Sequence, residues 1–141
     1  MIKFEKLPAG VLLSIPKVRD VLARDERVIF AYLFGGLAAG RINRLSDVDI
    51  AVYVNDTREL ADYKFTLFSA ISDALGTAEL DLVVLNTAPI SITGRILQNK
   101  QLLADKDPFR RHIYESKTLR EFFDFRVTEE ALFMRRYGIG R

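Results

Sequence analysis

The chain has 141 residues, enough for one domain with a proper core, and its 49% apolar and 28% charged residues describe a globular chain rather than a disordered one. It contains no cysteine, which excludes disulfides and thiolate metal sites and fits a reducing, cytoplasmic setting. The apolar stretches fall far short of a membrane span, the first residues lack a signal-peptide core, and a net charge of +2 from 21 interleaved basic and 19 acidic residues argues against nucleic acid as partner.

Ser14-Ile15-Pro16 predicts the start of a helix, a capping hydroxyl followed by proline in the first turn, with Val18, Val21 and Leu22 as its apolar stripe. Val28 to Phe34 is a continuous apolar run rich in aromatic and β-branched residues and predicts a buried strand, ended by Gly35-Gly36. Residues 37–46 predict a short helical turn and a polar loop, and Asp47 to Val54 a second strand. Asp56-Thr57 predicts the start of a helix carrying Leu60, Tyr63, Leu67, Phe68, Ile71 and Leu75 at helical spacing, stopped by Gly76. A third strand is expected over Glu79 to Leu85, a helix over 89–99 and a short strand near 101–104. Asp107-Pro108 predicts the cap and first position of a long helix that runs to Tyr137 and ends at Gly138. This order predicts an α/β (α+β) domain, a small mixed β-sheet flanked by helices, with a core over about 15–105 and a C-terminal helical segment over about 107–137.

Chemistry concentrates where Gly35-Gly36 is followed, ten residues later, by Asp47-Val48-Asp49. Strand residues two apart point the same way and lie about 7 Å apart. Two carboxylates on one face of so apolar a strand repel each other, and a hard divalent cation such as Mg²⁺ or Mn²⁺ removes that cost. A third acid, Asp81, alternates with Leu80, Leu82 and Val84 and shares the opposite face with Glu79 and Val83. If its strand lies beside the second, Asp81 joins Asp47 and Asp49 in a set able to hold two metals for phosphoryl chemistry. Gly35 and Gly36 suit close approach of backbone N–H groups to phosphate, and Arg41 and Arg44 in the intervening loop can neutralise its charge.

The pattern resembles the nucleotidyltransferase superfamily related to DNA polymerase β, with its Gly-Ser turn, Asp-x-Asp about ten residues on and a third acid on a later strand. The small size, the strand Leu80 to Asn86 and the long C-terminal helix resemble the minimal nucleotidyltransferases (MNT), which often serve as antitoxins to HEPN-domain toxins. The resemblance implies a polymerase β-like fold, ATP as substrate, Asp47 and Asp49 as metal ligands, Asp81 as metal ligand and base, and Gly35 and Gly36 as phosphate contacts. It implies transfer of AMP from ATP to a tyrosine hydroxyl of a partner toxin. Gly36 stands where the family's serine is usual. One missing hydrogen bond to charged phosphate weakens binding or turnover about tenfold to a hundredfold, and Gly36→Ser is expected to raise either. The alternative is an antitoxin that neutralises its partner by binding alone.

Of the remaining residues, His112, the single histidine, is expected on a helix surface, and Arg110-Arg111 and Arg135-Arg136 on solvated helix faces. Phe122, Phe123, Phe125, Leu132 and Phe133 are expected mainly in the core. They cannot all face one way, and the surplus apolar surface would suit a partner groove or self-association.

Overall fold

The computed structural model describes residues 2–35 and 48–138, with side chains from Leu13 onward. Among them are four helices, α1 (Ile2–Arg24), α2 (Leu60–Leu75), α3 (Ile90–Gln98) and α4 (Pro108–Tyr137), and four strands, β1 (Val28–Phe34), β2 (Val48–Val54), β3 (Leu80–Val84) and β4 (Lys100–Asp105). The strands form one mixed sheet in the order β3-β2-β1-β4. β1 pairs antiparallel with β2 and with β4, and β2 pairs parallel with β3. A parallel pair needs a crossover, and α2 supplies it.

β1 is central, so both its faces are covered, and its Val-Ile-Phe-Ala-Tyr-Leu-Phe run is buried up to its last residue. β2 alternates instead. Val48, Ile50, Val52 and Val54 join Leu80, Leu82 and Val84 of β3 on the face that receives Val18 and Leu22 of α1 and Leu67, Ile71 and Leu75 of α2. Ala51, Tyr53 and Val83 lie on the other face, with Phe30, Tyr32 and Phe34 of β1, and pack against Ile96 and Leu97 of α3 and Tyr114 and Leu119 of α4. Gly94 lets α3 approach α4, since a Cβ there would overlap the Phe122 ring.

The phase of β3 against β2 is held at both ends. Val48 N–H donates to the Glu79 carbonyl at 3.0 Å and Leu85 N–H to the Val52 carbonyl at 2.8 Å. Beyond them the Asn86 amide accepts from Val54 N–H at 2.9 Å and donates to the Val54 carbonyl at 2.8 Å, extending the ladder by a side-chain rung.

The helix ends show where local signals decide. Asp107 caps α4 by accepting from Arg110 N–H at 3.1 Å, with proline at the first position, and Gly138 closes the helix in the left-handed region at φ 63°. Gly76 ends α2 in the same way, at φ 75°. Asp56, however, does not start α2. Its carboxylate accepts from Arg58 N–H at 2.9 Å and pairs with the Arg58 guanidinium at 2.7 Å, closing a local turn, and the helix begins at Leu60 after Glu59 at φ 49°. Ser14-Ile15-Pro16 does not open α1 either, because the helix already runs from Ile2. A serine–proline pair permits a helix start without requiring one. The missing hydrogen bond and ring crowding of an interior proline cost about 3 kcal/mol, and the burial of Val18 and Leu22 beyond it works against that cost.

The α4 aromatics divide differently from expectation. Phe122 is buried and Phe125 half-buried, but Phe123 is 54% exposed, Leu132 54% and Phe133 52%. The helix packs on the second face through its first half, and core packing does not account for the exposed Phe123, Val127, Leu132 and Phe133. His112 is exposed, as expected of a helix surface. Arg111 is not a solvated charge: its side chain is 15% exposed and bonds Asp105 and Glu115.

Candidate nucleotide site

The acidic pair stands on the second face because of strand register. Asp49 precedes Ala51 and Tyr53 by two and four residues along β2, and Asp81 precedes Val83 by two along β3, so both carboxylates point away from the aliphatic core. The parallel ladder sets Asp49 directly opposite Asp81. Two carboxylates separated by 32 positions in the chain thus stand side by side on neighbouring strands, about 4.8 Å apart in the pairing direction. Asp49 is half-buried and Asp81 exposed, so the pair opens to solvent at one end of the sheet.

Gly35 completes this end. It directly follows Phe34, the β1 residue paired with Asp49, and turns the chain at φ 78°. That region favours glycine, because a Cβ crowds the backbone there. A second reason is local: a Cβ on Gly35 would collide with the Asp49 carboxylate. Conformation and the packed Asp49 carboxylate both exclude a side chain at Gly35, so the turn and that carboxylate lie against each other.

The donors suit a hard divalent ion. They are carboxylate oxygens on rigid strands, adjacent and of like charge, with no thiolate or imidazole among them. Among the described residues no group of three His, Cys, Asp or Glu is placed to hold a metal. Of the expected triad, Asp49 and Asp81 are brought together, and Asp47 lies outside the described residues, as do Gly36, Arg41 and Arg44.

Two features here were not legible in the sequence. Phe34 is paired with Asp49 on one side and with Lys100 on the other, so Asp81, Asp49, Phe34 and Lys100 form one row across all four strands. The last expected strand, near 101–104, left Lys100 out, and pairing between such distant segments has no local signature. Behind the row lies a polar network. The Tyr32 hydroxyl donates to Glu115 at 2.6 Å, Arg111 donates to the same carboxylate oxygen at 3.2 Å, and Arg111 Nε donates to Asp105 at 2.7 Å. Burial first, and then the bond to the Glu115 carboxylate, push the Tyr32 phenol well above its usual range. The network joins α4 to β1 and β4.

No described helix is long and apolar enough to cross a membrane. No curated protein matches the chain. Several solved structures share its fold. One contains a tri-AMPylated Shewanella oneidensis HEPN toxin in complex with MNT antitoxin (22% identity over 86% of this chain and 94% of that one, TM-score 0.68). Another is the MntA–HepT toxin–antitoxin (22% identity, 86% and 95% covered, TM-score 0.66), and a third a toxin–antitoxin with AMP-PNP (24% identity, 85% and 93% covered, TM-score 0.67). Residues 16–109 match the model of the family described as Polymerase beta, Nucleotidyltransferase. The matched span takes in all four strands, the Gly35 turn and both paired aspartates, and the chain therefore belongs to the polymerase beta nucleotidyltransferase family.

Proposed function

We propose that this chain is an adenylyltransferase antitoxin that moves AMP from ATP to a tyrosine hydroxyl of a HEPN-domain toxin. The observation that carries this reading is the register of Asp49 with Asp81, with the Asp49 carboxylate packed against a glycine turn that admits no side chain of its own. Asp47, Asp49 and Asp81 are the proposed metal ligands, Gly35 and Gly36 the triphosphate cradle, and Arg41 and Arg44 the cations that offset phosphate charge. A divalent ion, Mg²⁺ or Mn²⁺, would supply charge neutralisation and a lowered pKa for the attacking hydroxyl. The toxin's phenolic oxygen forms a bond to the α-phosphorus, the bond from that phosphorus to the β-phosphate oxygen breaks, and pyrophosphate leaves. The phenolic proton passes to the Asp81 carboxylate. Gly35 carries no side chain that would displace the Asp49 carboxylate, and backbone N–H groups of such a turn can approach phosphate.

The fold neighbours support this choice of donor and acceptor, since one holds an AMPylated HEPN toxin beside its MNT antitoxin and another holds AMP-PNP. The second half of α4 supports a protein partner. Phe123, Val127 and Phe133 border a groove of about 670 Å³ on a stretch where nearly every side chain is exposed.

The test is incubation of a candidate HEPN-domain partner protein with this chain, labelled ATP and Mg²⁺. Label should pass to the toxin with the wild type and not with Asp47→Asn or Asp81→Asn. Toxin neutralised without label, or label that persists in both variants, would overturn the reading.

A further inference from the structure

We infer that Lys100 binds the β- and γ-phosphates of the nucleotide and receives the negative charge of the departing pyrophosphate, a role that rests on the nucleotide site proposed above. Two independent observations place it. First, Phe34 is flanked in the sheet by Asp49 on one side and Lys100 on the other. Directly paired residues share a face, and two strand spacings put the Lys100 backbone about 10 Å from that of Asp49, within reach of a four-carbon stem and a phosphate chain between them. Second, the Lys100 ammonium lies 5.6 Å from the centroid of the Tyr32 ring, and Tyr32 precedes Phe34 by two residues on the same face of β1. The ammonium therefore stands on the same face as the two aspartates, on the Tyr32 side of the Phe34 row, and its flexible stem can swing from there toward the turn.

The Gly35 turn begins where the Phe34 strand ends, between these two flanks. Phosphates lying on that turn have carboxylates on one side and an ammonium on the other. The asymmetry gives the chain a direction, with the α-phosphate toward the acidic side and the β- and γ-phosphates toward Lys100. As the bond from the α-phosphorus to the bridging oxygen breaks, charge grows on pyrophosphate, and a fixed cation there stabilises that charge more than the ground state. An ammonium is a compact point charge with three donors and suits phosphate oxygens that carry no preferred plane. The platform beneath it is rigid, because the Tyr32 hydroxyl is tied to Glu115, Glu115 to Arg111 and Arg111 to Asp105. A surface lysine resting on an aromatic ring would have no preference between nucleotides, and that separates the two roles.

The experiment is calorimetric binding of ATP and of AMP, each with Mg²⁺, to the full chain and to Lys100→Met and Lys100→Arg. Lys100→Met should weaken ATP about tenfold to a hundredfold, the loss of one charge-assisted contact, while AMP affinity holds and the melting temperature of the ligand-free protein is unchanged. Lys100→Arg should restore most of the ATP affinity. Unchanged ATP affinity in Lys100→Met, or equal losses for ATP and AMP, would overturn the assignment and leave the nucleotide site standing. A wild type that binds neither nucleotide would remove the site, and this role with it.

Discussion

The two faces of the sheet are built from the same strands and do different work. One has an aliphatic centre, closed by α1 and α2, with Tyr63 and Phe68 packed against it. The other begins as an aromatic layer under α3 and α4 and gives way, at the ends of β1, β2 and β3, to two carboxylates and a bare turn. A single residue separates them. Ile50 is fully buried on the first face, and Asp49, its neighbour, opens on the second. Stability and chemistry are thus assigned to alternate positions of one strand, and each can be perturbed with little effect on the other.

Asp49→Asn should break this division most severely on the chemical side. Loss of a carboxylate proposed to hold the metal would remove several kcal/mol of charge stabilisation, so label transfer should fall about a hundredfold or more while the variant stays folded in thermal melts. Ile50→Ala is the mirror image. It should cost about 3 kcal/mol in denaturant melts, while the folded fraction keeps its rate.

Gly35→Ala sharpens the comparison further, because it strikes where the faces meet. The strained φ costs about 1 kcal/mol, and the new methyl must also displace the Asp49 carboxylate. Gly76→Ala is the control, with nearly the same φ and nothing within 4 Å of the added Cβ. Both variants should melt lower, and only Gly35→Ala should lose nucleotide affinity.

The smallest effect is expected at alkaline pH. Burial, followed by hydrogen bonds to Glu115 and Asp25 respectively, raises the Tyr32 and Tyr63 phenols well above their usual range, and burial pushes Tyr114 up to about 12. A raised native pKa contributes stability that is fully present below about pH 10, where an unfolded tyrosine ionises, and is lost as pH climbs beyond it. Ultraviolet titration should show Tyr32 and Tyr63 ionising only with unfolding, and Tyr32→Phe should flatten the alkaline decline in stability.

Much of this division could be read in advance. The unbroken apolar run of β1 marked a strand covered on both sides, and the alternation Leu80-Asp81-Leu82 announced that Asp81 would leave the core face. The Asp107-Pro108 cap was legible because its chemistry is local. What escaped was set by distant partners. No pattern within residues 100–105 reveals that β4 adds to β1 rather than to β3, so Lys100 could not be placed beside the site. The second half of α4 carries an apolar composition that suggests burial, yet exposure depends on where the sheet ends, and that is a property of the assembled fold. Asp56 forms a turn with Arg58 instead of a cap because a guanidinium two residues away competes for the same carboxylate.

The side-chain rung at Asn86 has a reach greater than its size. A parallel strand that slides by one position turns every side chain over, and Asp81 would then sink into the aliphatic layer while a leucine took its place beside Asp49. An amide that grips both backbone groups of Val54 forbids that slide from the far end of the sheet. The alignment of the two carboxylates is therefore guarded from the opposite end of the sheet, and the acidic pair can be disarmed from a distance without altering any atom in it.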